Sequence, residues 1–295
     1  MARRQIVDAH HHLWDLDHGN AYPWLQDDPD AEGMLGRLTS IAKTYVPADY
    51  LADAADYQVV KSVHIEAVPS DPLKETRWLT SLGAGIPTAI VGFAALNTPD
   101  VEKTLAAHAA FPKVRGVRQI VNWHKNPAVT FTPSDLLADN AWQAGYALLK
   151  KYNLSFDAQL YAGQMDEMYA LARRHPETLV ILNHTGMPVD RDADGLKLWR
   201  DGMRKLASAD NVVAKISGLG MVEHNWSVDS IRPFVLGSIE AFGIERCMFG
   251  SNFPVDRLYS SFDALYGAFE TIVADLSPPE QDKLFVTNAQ RWYRL

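Results

Sequence analysis

The sequence predicts a (β/α)8 barrel of the TIM type, and the alternation of its segments is the main reason. Eight short apolar runs rich in Val, Ile and Phe, typical of strands buried on both faces, alternate with amphipathic stretches of helical spacing. A length of 295 residues suits one barrel with a long inserted loop. An open doubly wound sheet usually has a Gly-rich turn after its first strand, and none is present. We therefore expect residues 1–295 to form a single barrel domain.

The predicted elements follow one another in strand–helix pairs along the chain. The strands are Gln5–Ala9, Val59–Val68, Pro87–Leu96, Val114–Val121, Leu154–Leu160, Thr178–Thr185, Asn211–Leu219 and Cys247–Pro254. Helices are predicted near 47–57, 72–83, 99–110, 140–152, 164–175, 195–208, 228–242 and 260–275, with a last helix near 278–290. The longest irregular stretch, Asp15–Tyr45, contains the apolar cluster Tyr22–Leu25. It is predicted to form a flap over the barrel mouth, with packing against the barrel side as the alternative.

Composition and charge restrict the classes of molecule that the protein is expected to bind. Hydrophobic residues make up 47% and charged residues 22%, which are ordinary values for a protein with a sizeable core. The formal net charge of −8 argues against general nucleic-acid binding, which needs a basic surface. No apolar stretch is as long as the roughly 20 residues that a membrane-spanning helix needs. Met1–Arg4 is not followed by an apolar stretch long enough for the core of a signal peptide. Cys247 is the only cysteine, so we expect a cytoplasmic protein without an internal disulfide and without nucleic-acid or membrane partners.

Polar residues recur near the carboxyl ends of the predicted strands, where barrel enzymes have their active sites. Burying such residues is costly unless they are paired, so folding alone does not account for them. They are His10 and His12 on the first strand, His64 and Glu66 on the second, Arg118 on the fourth, Asp157 and Gln159 on the fifth, Asn183 and His184 on the sixth, Lys215 and Ser217 on the seventh, and Ser251 and Asn252 on the eighth. This pattern predicts a site for a small-molecule substrate.

The histidines of the first strand are the clearest candidates. His10 and His12 share a face because strand side chains alternate, whereas His11 points to the other face and is expected to pack. Two imidazoles at this spacing can ligate one divalent metal ion or one substrate oxygen, and His184 is the natural third member. By the same alternation His64 lines the interior if Glu66 does.

The remaining histidines lie away from strand ends. His18, His108 and His175 fall in a loop or on helices and are expected at the surface. His124 and His224 lie just past the fourth and seventh strands and could reach the mouth from loops.

Several motifs carry a family resemblance that extends over nearly the whole chain. They are Val7–Asp15 with its Asp-x-His-x-His-x-Trp pattern, Tyr22–Leu25, Gly116–Arg118, Leu182–Gly186, Lys215–Gly218 and Met248–Val255 with its Phe-Gly-Ser-x-x-Pro pattern. The chain resembles the amidohydrolase superfamily, specifically its lactonase-like branch. That branch contains fuconolactonase, rhamnonolactonase and pyrone-dicarboxylate lactonase types, together with related isomerases and decarboxylases.

The resemblance implies a hydrolase that opens a lactone, such as a sugar-acid lactone or a related carboxylated cyclic ester, by attack of water. It implies that His10, His12 and His184 bind Zn²⁺ or a similar divalent ion, or, in a metal-independent variant, hydrogen-bond the carbonyl oxygen directly. The substrate would be a small anionic or polyhydroxylated molecule, and a homo-oligomer is compatible with such barrels. A non-oxidative decarboxylase or a lactone isomerase on the same site is the alternative.

One departure from the family pattern concerns the water's base. The family usually has Asp where this chain has Asn252, and an amide cannot accept a proton at neutral pH. Asn252 could mark a natural subgroup with another base, an engineered substitution, or a catalytically impaired binding protein. Glu66 is the candidate replacement base, and a buried partner of Arg118 or Lys215 is its alternative role.

The remaining site residues are assigned by their chemistry. The predicted catalytic group is Glu66, His184, Asn252 and Arg118, and the predicted substrate-binding group is His64, Arg118, Gln159, Asn183, Lys215 and Trp24. Arg and Lys would hold a carboxylate or hydroxyls, Gln and Asn would add neutral hydrogen bonds, and Trp24, with Trp14 and Trp123, would form apolar walls.

Overall fold

The predicted barrel is present, with eight parallel strands paired in the order of the chain. A computed structural model describes residues 3–17 and 19–295. The strands are β1 (Gln5–His11), β2 (Gln58–Ile65), β3 (Ala89–Phe93), β4 (Val114–Arg118), β5 (Ser155–Ala158), β6 (Val180–Leu182), β7 (Val212–Ile216) and β8 (Cys247–Phe249). The ring closes because the His12 backbone N–H donates to Phe253 O and the Asn252 N–H to His10 O, both at 2.7 Å.

Helices surround the barrel. They are α1 (Pro23–Gln26), α2 (Pro47–Asp53), α3 (Pro72–Ser81), α4 (Val101–Ala109), α5 (Asn140–Ala147), α6 (Met165–Arg174), α7 (Ala193–Ala207), α8 (Val228–Phe242), α9 (Phe262–Ile272), α10 (Pro278–Asp282) and α11 (Asn288–Trp292). The side chains of Asp71, Ser227 and Ser261 accept hydrogen bonds from backbone N–H groups three residues on and so fix where α3, α8 and α9 begin. Within the described residues, the helices are too short or too polar to cross a membrane.

Side chains close the bottom of the barrel, and a long segment reaches over its top. At the bottom, Tyr293 and Ala289 at the carboxyl end of the chain join Val7, Val63 and Met248 in an apolar cluster. At the top, Trp14 and Tyr45 close the segment after β1 into a loop by exchanging backbone hydrogen bonds of 3.0 and 2.9 Å. The Trp24 indole of this segment donates to Ala67 O, just past β2, at 2.7 Å. This segment packs against the barrel and also reaches the mouth, so both expectations for Asp15–Tyr45 describe part of it.

A buried carboxylate joins the first and last strands. Asp8 accepts hydrogen bonds from the backbone N–H of Ser251 at 2.8 Å, from the Ser251 hydroxyl at 2.6 Å and from the Tyr50 hydroxyl at 2.8 Å. Its carboxylate therefore fixes the turn that carries Asn252 against the strand that carries His10 and His12.

One expectation about the histidines was wrong. His108 was expected at the surface but is buried on the inner face of α4, where Nε2 donates to Phe93 O at 2.9 Å. Its ring occupies the space left by Gly92, since a Cβ at that glycine would lie 2.5 Å from the His108 ring. The location of His108 in a predicted helix did not show that it lies on the buried face of that helix. His175 is partly buried, and His18 lies outside the described residues.

Candidate active site

A cavity of about 510 Å³ occupies the mouth of the barrel at the carboxyl ends of the strands. Its polar wall includes five residues predicted from the sequence, namely His12, Arg118, Gln159, His184 and Asn252. Trp24 and Leu35 of the segment after β1 line it from above, which places that segment over the mouth as predicted. Of the three tryptophans proposed as walls, only Trp24 lines this cavity.

The three histidines predicted to form a centre lie together. The ring centroid of His10 is 5.0 Å from that of His12 and 4.4 Å from that of His184. Burial is the main cause that lowers the pKa of each imidazole well below its ordinary range, and nearby cationic groups add to it. At neutral pH the cluster is therefore a set of neutral imidazoles. His11 lies outside it, stacked on Tyr50 with its Nε2 2.9 Å from Ser62 Oγ, as the strand alternation predicted.

His184 is positioned by the residues that follow β7. Its Nδ1 lies 2.9 Å from the Ser217 hydroxyl. The next residue, Gly218, has φ of +60°, and a Cβ there would lie 2.3 Å from His184 Nδ1. Only glycine meets both demands without strain. The other ring nitrogen of His184 is available to a molecule in the cavity, which this side chain lines.

Asn252 connects His12 to a buried acid that sequence analysis missed. Its Nδ2 donates to Asp256 Oδ1 at 3.1 Å, and its Oδ1 lies 3.2 Å from His12 Nε2. Among the described residues, the second carboxyl oxygen of Asp256 has no hydrogen-bond partner, and burial raises the pKa of this group to about 7. The signal in the sequence is the four-residue spacing, which brings the two side chains together because the Asp256 backbone N–H donates to Asn252 O at 3.1 Å.

The protonation states of His12 and Asp256 depend on each other through the Asn252 amide. His12 Nδ1 lies 2.8 Å from Ile65 O, so with Asn252 Oδ1 on the other side both ring nitrogens face acceptors. A neutral imidazole has one N–H and cannot donate to both. Either His12 is an imidazolium and Asp256 a carboxylate, or Asn252 turns its amide N–H toward His12 and accepts a proton from Asp256. Because burial lowers the pKa of His12 and raises that of Asp256, we favour the second arrangement.

Arg118 and Glu66 form a buried ion pair at the cavity wall. Arg118 Nε donates to Glu66 Oε1 at 2.5 Å, and its Nη groups donate to Gln159 Oε1 at 2.7 Å and Glu66 O at 2.6 Å. The other carboxylate oxygen of Glu66 accepts from Val68 N at 2.6 Å. Burial raises the pKa of Glu66 while the guanidinium opposes that effect. Of the two roles considered for Glu66, its contacts match the buried partner of Arg118.

Lys215 and Asn183 do not line the cavity, which corrects their predicted role in substrate contact. Both are fully buried beside Asp157, to which they donate at 2.7 and 3.0 Å. Tyr293 donates to the same oxygen at 2.7 Å. Their side chains project into the barrel interior, where a lysine needs a carboxylate partner. Burial lowers the pKa of Lys215 to about 8, and its ammonium lies 3.4 Å from His10 Nδ1.

His64 also turns away from the cavity. Its Nδ1 accepts from Leu13 N at 3.1 Å, and its Nε2 lies 3.8 Å from Glu75 of α3. The expectation that His64 and Glu66 share a face was wrong because β2 ends at Ile65, so the two-residue alternation does not extend to Glu66. Burial lowers the pKa of His64 to about 3 and raises that of Glu75 to about 8.

The two loop histidines lie outside the main cavity. His124 is 3.2 Å from Asp190 and, with Trp123, lines a separate cavity of about 330 Å³. His224 stacks on Tyr259, and its Nε2 lies 3.0 Å from Met34 O. Neither reaches the histidine cluster.

The side chains as arranged do not fit a divalent metal ion. Over residues 3–17 and 19–295, no three His, Cys, Asp or Glu side chains form a ligand group. A metal-binding histidine normally donates its second N–H to an acceptor, but His10 Nδ1 faces the Lys215 ammonium, which leaves its proton on the unpartnered Nε2. Asn252 replaces the carboxylate that would add affinity.

Comparison with known proteins agrees with the geometry. The amidohydrolase family profile matches residues 7–295. An uncharacterized protein of Sinorhizobium fredii is 44% identical over 98% of both chains, and an L-fucono-1,5-lactonase of Burkholderia ambifaria is 26% identical over 98% of this chain and 95% of its own. An amidohydrolase of Burkholderia multivorans, crystallised once with HEPES and once with Zn, matches with a TM-score of 0.82 in both forms, at 26% and 25% identity and full coverage of both chains. The chain belongs to the amidohydrolase family.

Proposed function

We propose that the protein hydrolyses a lactone by attack of water in the cavity lined by His12, Arg118, His184 and Asn252. The observation that carries the proposal is that His184 and Arg118, the latter held by Glu66, line one cavity at the carboxyl ends of the strands. The lactonase names of two distant relatives support the same reaction class. The predicted cytoplasmic location and homo-oligomeric state stay predictions.

Arg118 is proposed to bind the lactone carbonyl. A guanidinium has five N–H donors, and the contacts with Glu66 and Gln159 use three of them. The two that remain belong to a side chain that lines the cavity. They would stabilise the negative charge that develops on the carbonyl oxygen during attack. Glu66 then acts as a positioning residue, because it holds the guanidinium in place.

His184 is proposed as the base. When its Nδ1 donates to the Ser217 hydroxyl, the Nε2 lone pair faces the cavity and can take a proton from the attacking water. The resulting imidazolium returns that proton to the alkoxide that leaves when the ring C–O bond breaks. The products are a hydroxy acid and the neutral imidazole. No step requires a metal ion, in keeping with the misfit of His10, although the family contains a zinc-bound relative.

Lactone hydrolysis followed with a pH indicator tests the proposal. His184→Ala should lower kcat/KM by about 10²- to 10⁴-fold, the usual contribution of a general base. His124→Ala, which changes a histidine in the other cavity, is the matched control and should keep wild-type activity. Carbon dioxide release from aromatic acids without lactone hydrolysis would overturn the assignment in favour of a decarboxylase.

Glu66→Gln separates the two roles of that residue. The amide can still accept a hydrogen bond from Arg118 but cannot take up a proton. A positioning role therefore predicts a loss of only about tenfold in kcat, because the guanidinium that stabilises the transition state is still held, though less firmly. A role as the base predicts loss of kcat by 10²-fold or more with KM unchanged. The latter outcome would contradict the base assigned to His184.

A further inference from the structure

Away from its reactive end, the cavity has mainly hydrocarbon walls. Six of these wall residues are Trp24, Leu35, Phe93, Ile120, Phe131 and Met221. The indole N–H of Trp24 donates to Ala67 O at 2.7 Å, so its one polar atom is already used. At about 510 Å³ the cavity has room for more than a lactone ring. The remainder of the substrate therefore meets apolar side chains.

Two glutamines in the same walls have their amide oxygens occupied, and Asn97, which also lines the cavity, is exposed. Gln119 Oε1 accepts from Leu96 N and from the Trp142 indole, both at 2.9 Å. The Thr132 hydroxyl lies 3.2 and 2.9 Å from two backbone carbonyls, so its one proton is used within the protein. Gln159 Oε1 accepts from Arg118. A sugar hydroxyl buried here would find few acceptors, and each unpaired one costs roughly tenfold or more in affinity.

We infer that the substrate is a lactone carrying an apolar alkyl or aryl group rather than a polyhydroxylated sugar lactone. The inference rests on the proposed function and names its substrate class. The carbonyl would lie at Arg118 and His184, and the apolar group would pack between Trp24 and Phe131. The chain would then differ in specificity from the relatives named L-fucono-1,5-lactonases.

A series of δ-lactones that differ only in a linear alkyl substituent tests this inference. From unsubstituted to pentyl, kcat/KM should rise about fourfold per methylene until the cavity is filled, and L-fucono-1,5-lactone should be a poorer substrate than the pentyl compound. A flat series, or a preference for L-fucono-1,5-lactone, would overturn the inference and leave lactone hydrolysis itself standing.

Variants assign the effect to this wall. Phe131 is 39% exposed, so Phe131→Ala should fold normally and should reduce the gain per methylene. Leu198→Ala changes a similarly exposed residue of the other cavity and should leave the gain unchanged. An equal effect of both variants would contradict the assignment.

Hydrolysis-resistant lactams distinguish failure of the inference from failure of the proposed function. Calorimetric titration with the same alkyl series should show affinity rising with chain length. If the lactams show this rise while no lactone is hydrolysed, the proposed function fails and the apolar specificity of the cavity is supported. If neither series depends on chain length, the apolar specificity is wrong.

Discussion

The buried carboxyl group of Asp256 predicts how stability depends on pH. The side chain is 1% exposed, and its pKa is about 7 because burial penalises the charged form. In the unfolded chain the pKa returns to about 3.8, the ordinary value. The folded state therefore binds this proton more tightly. The resulting stability is fully present below about pH 4 and is lost as pH rises through 7.

The size of the effect follows from the two pKa values. At 1.36 kcal/mol per pH unit, their difference corresponds to about 4 kcal/mol in total. About 2 kcal/mol of this is lost between pH 5.5 and 8.5, most of it below pH 7. Asp256→Asn removes the titration, while the new amide can still hydrogen-bond to the Asn252 amide in either orientation. The variant should therefore gain about 2 kcal/mol relative to wild type between pH 5.5 and 8.5.

Urea unfolding followed by tryptophan fluorescence at pH 5.5, 7.0 and 8.5 measures this gain. The difference between the two proteins isolates Asp256, because the buried histidines titrate in both. Asp210→Asn, an exposed aspartate, is the control and should show no pH-dependent gain. Parallel stability curves for wild type and Asp256→Asn would refute the reasoning.

Two further predictions concern packing around the histidines. Gly218→Ala should destabilise the protein by about 1–3 kcal/mol and remove activity, because its Cβ would collide with His184 and its φ is positive. Gly267→Ala is the control: this glycine lies in a helix with open space around it, so the change should be neutral or stabilising. Thermal denaturation and lactonase assays check both. Lys215→Met should cost about 3–5 kcal/mol by leaving Asp157 buried and unpaired, and adding Asp157→Asn should recover most of it; no recovery would contradict a charge-pairing origin.

The fold was predictable because each strand and helix repeats a local pattern. The residues at which the strands end were less predictable. The predicted sixth strand, Thr178–Thr185, keeps only Val180–Leu182 in the sheet, because His184 and Thr185 adopt φ of +53° and leave the ladder. That departure from the strand places His184 at the cavity, so one cause explains both the error in the predicted bounds and the position of the side chain.

The positions of the candidate site residues were predictable where a side chain lies at the end of its own strand, and not where its partners belong to other elements. His10, His12 and His184 followed from position alone. Glu75 and Asp256 look like ordinary solvated acids in the sequence, because the groups that bury them belong to other elements. The pairing of Arg118 with Glu66 joins two strand ends that are 52 residues apart, and charge type alone could not choose between Arg118 and Lys215 as the partner.

The Asn252 amide and the Asp256 carboxyl constrain each other. Their side chains are 3.1 Å apart in a buried site, so an Asp at 252 would place two carboxyl groups in contact and force one to hold a proton. Restoring the family residue alone should therefore destabilise the protein above neutral pH, and Asn252→Asp combined with Asp256→Asn should relieve it. If Asn252→Asp alone is as stable as wild type at pH 8.5, the two positions are independent. If the two positions are coupled, the acid that position 252 lacks is present at Asp256, one hydrogen bond farther from the cavity. The Asn252 amide then connects that acid to His12.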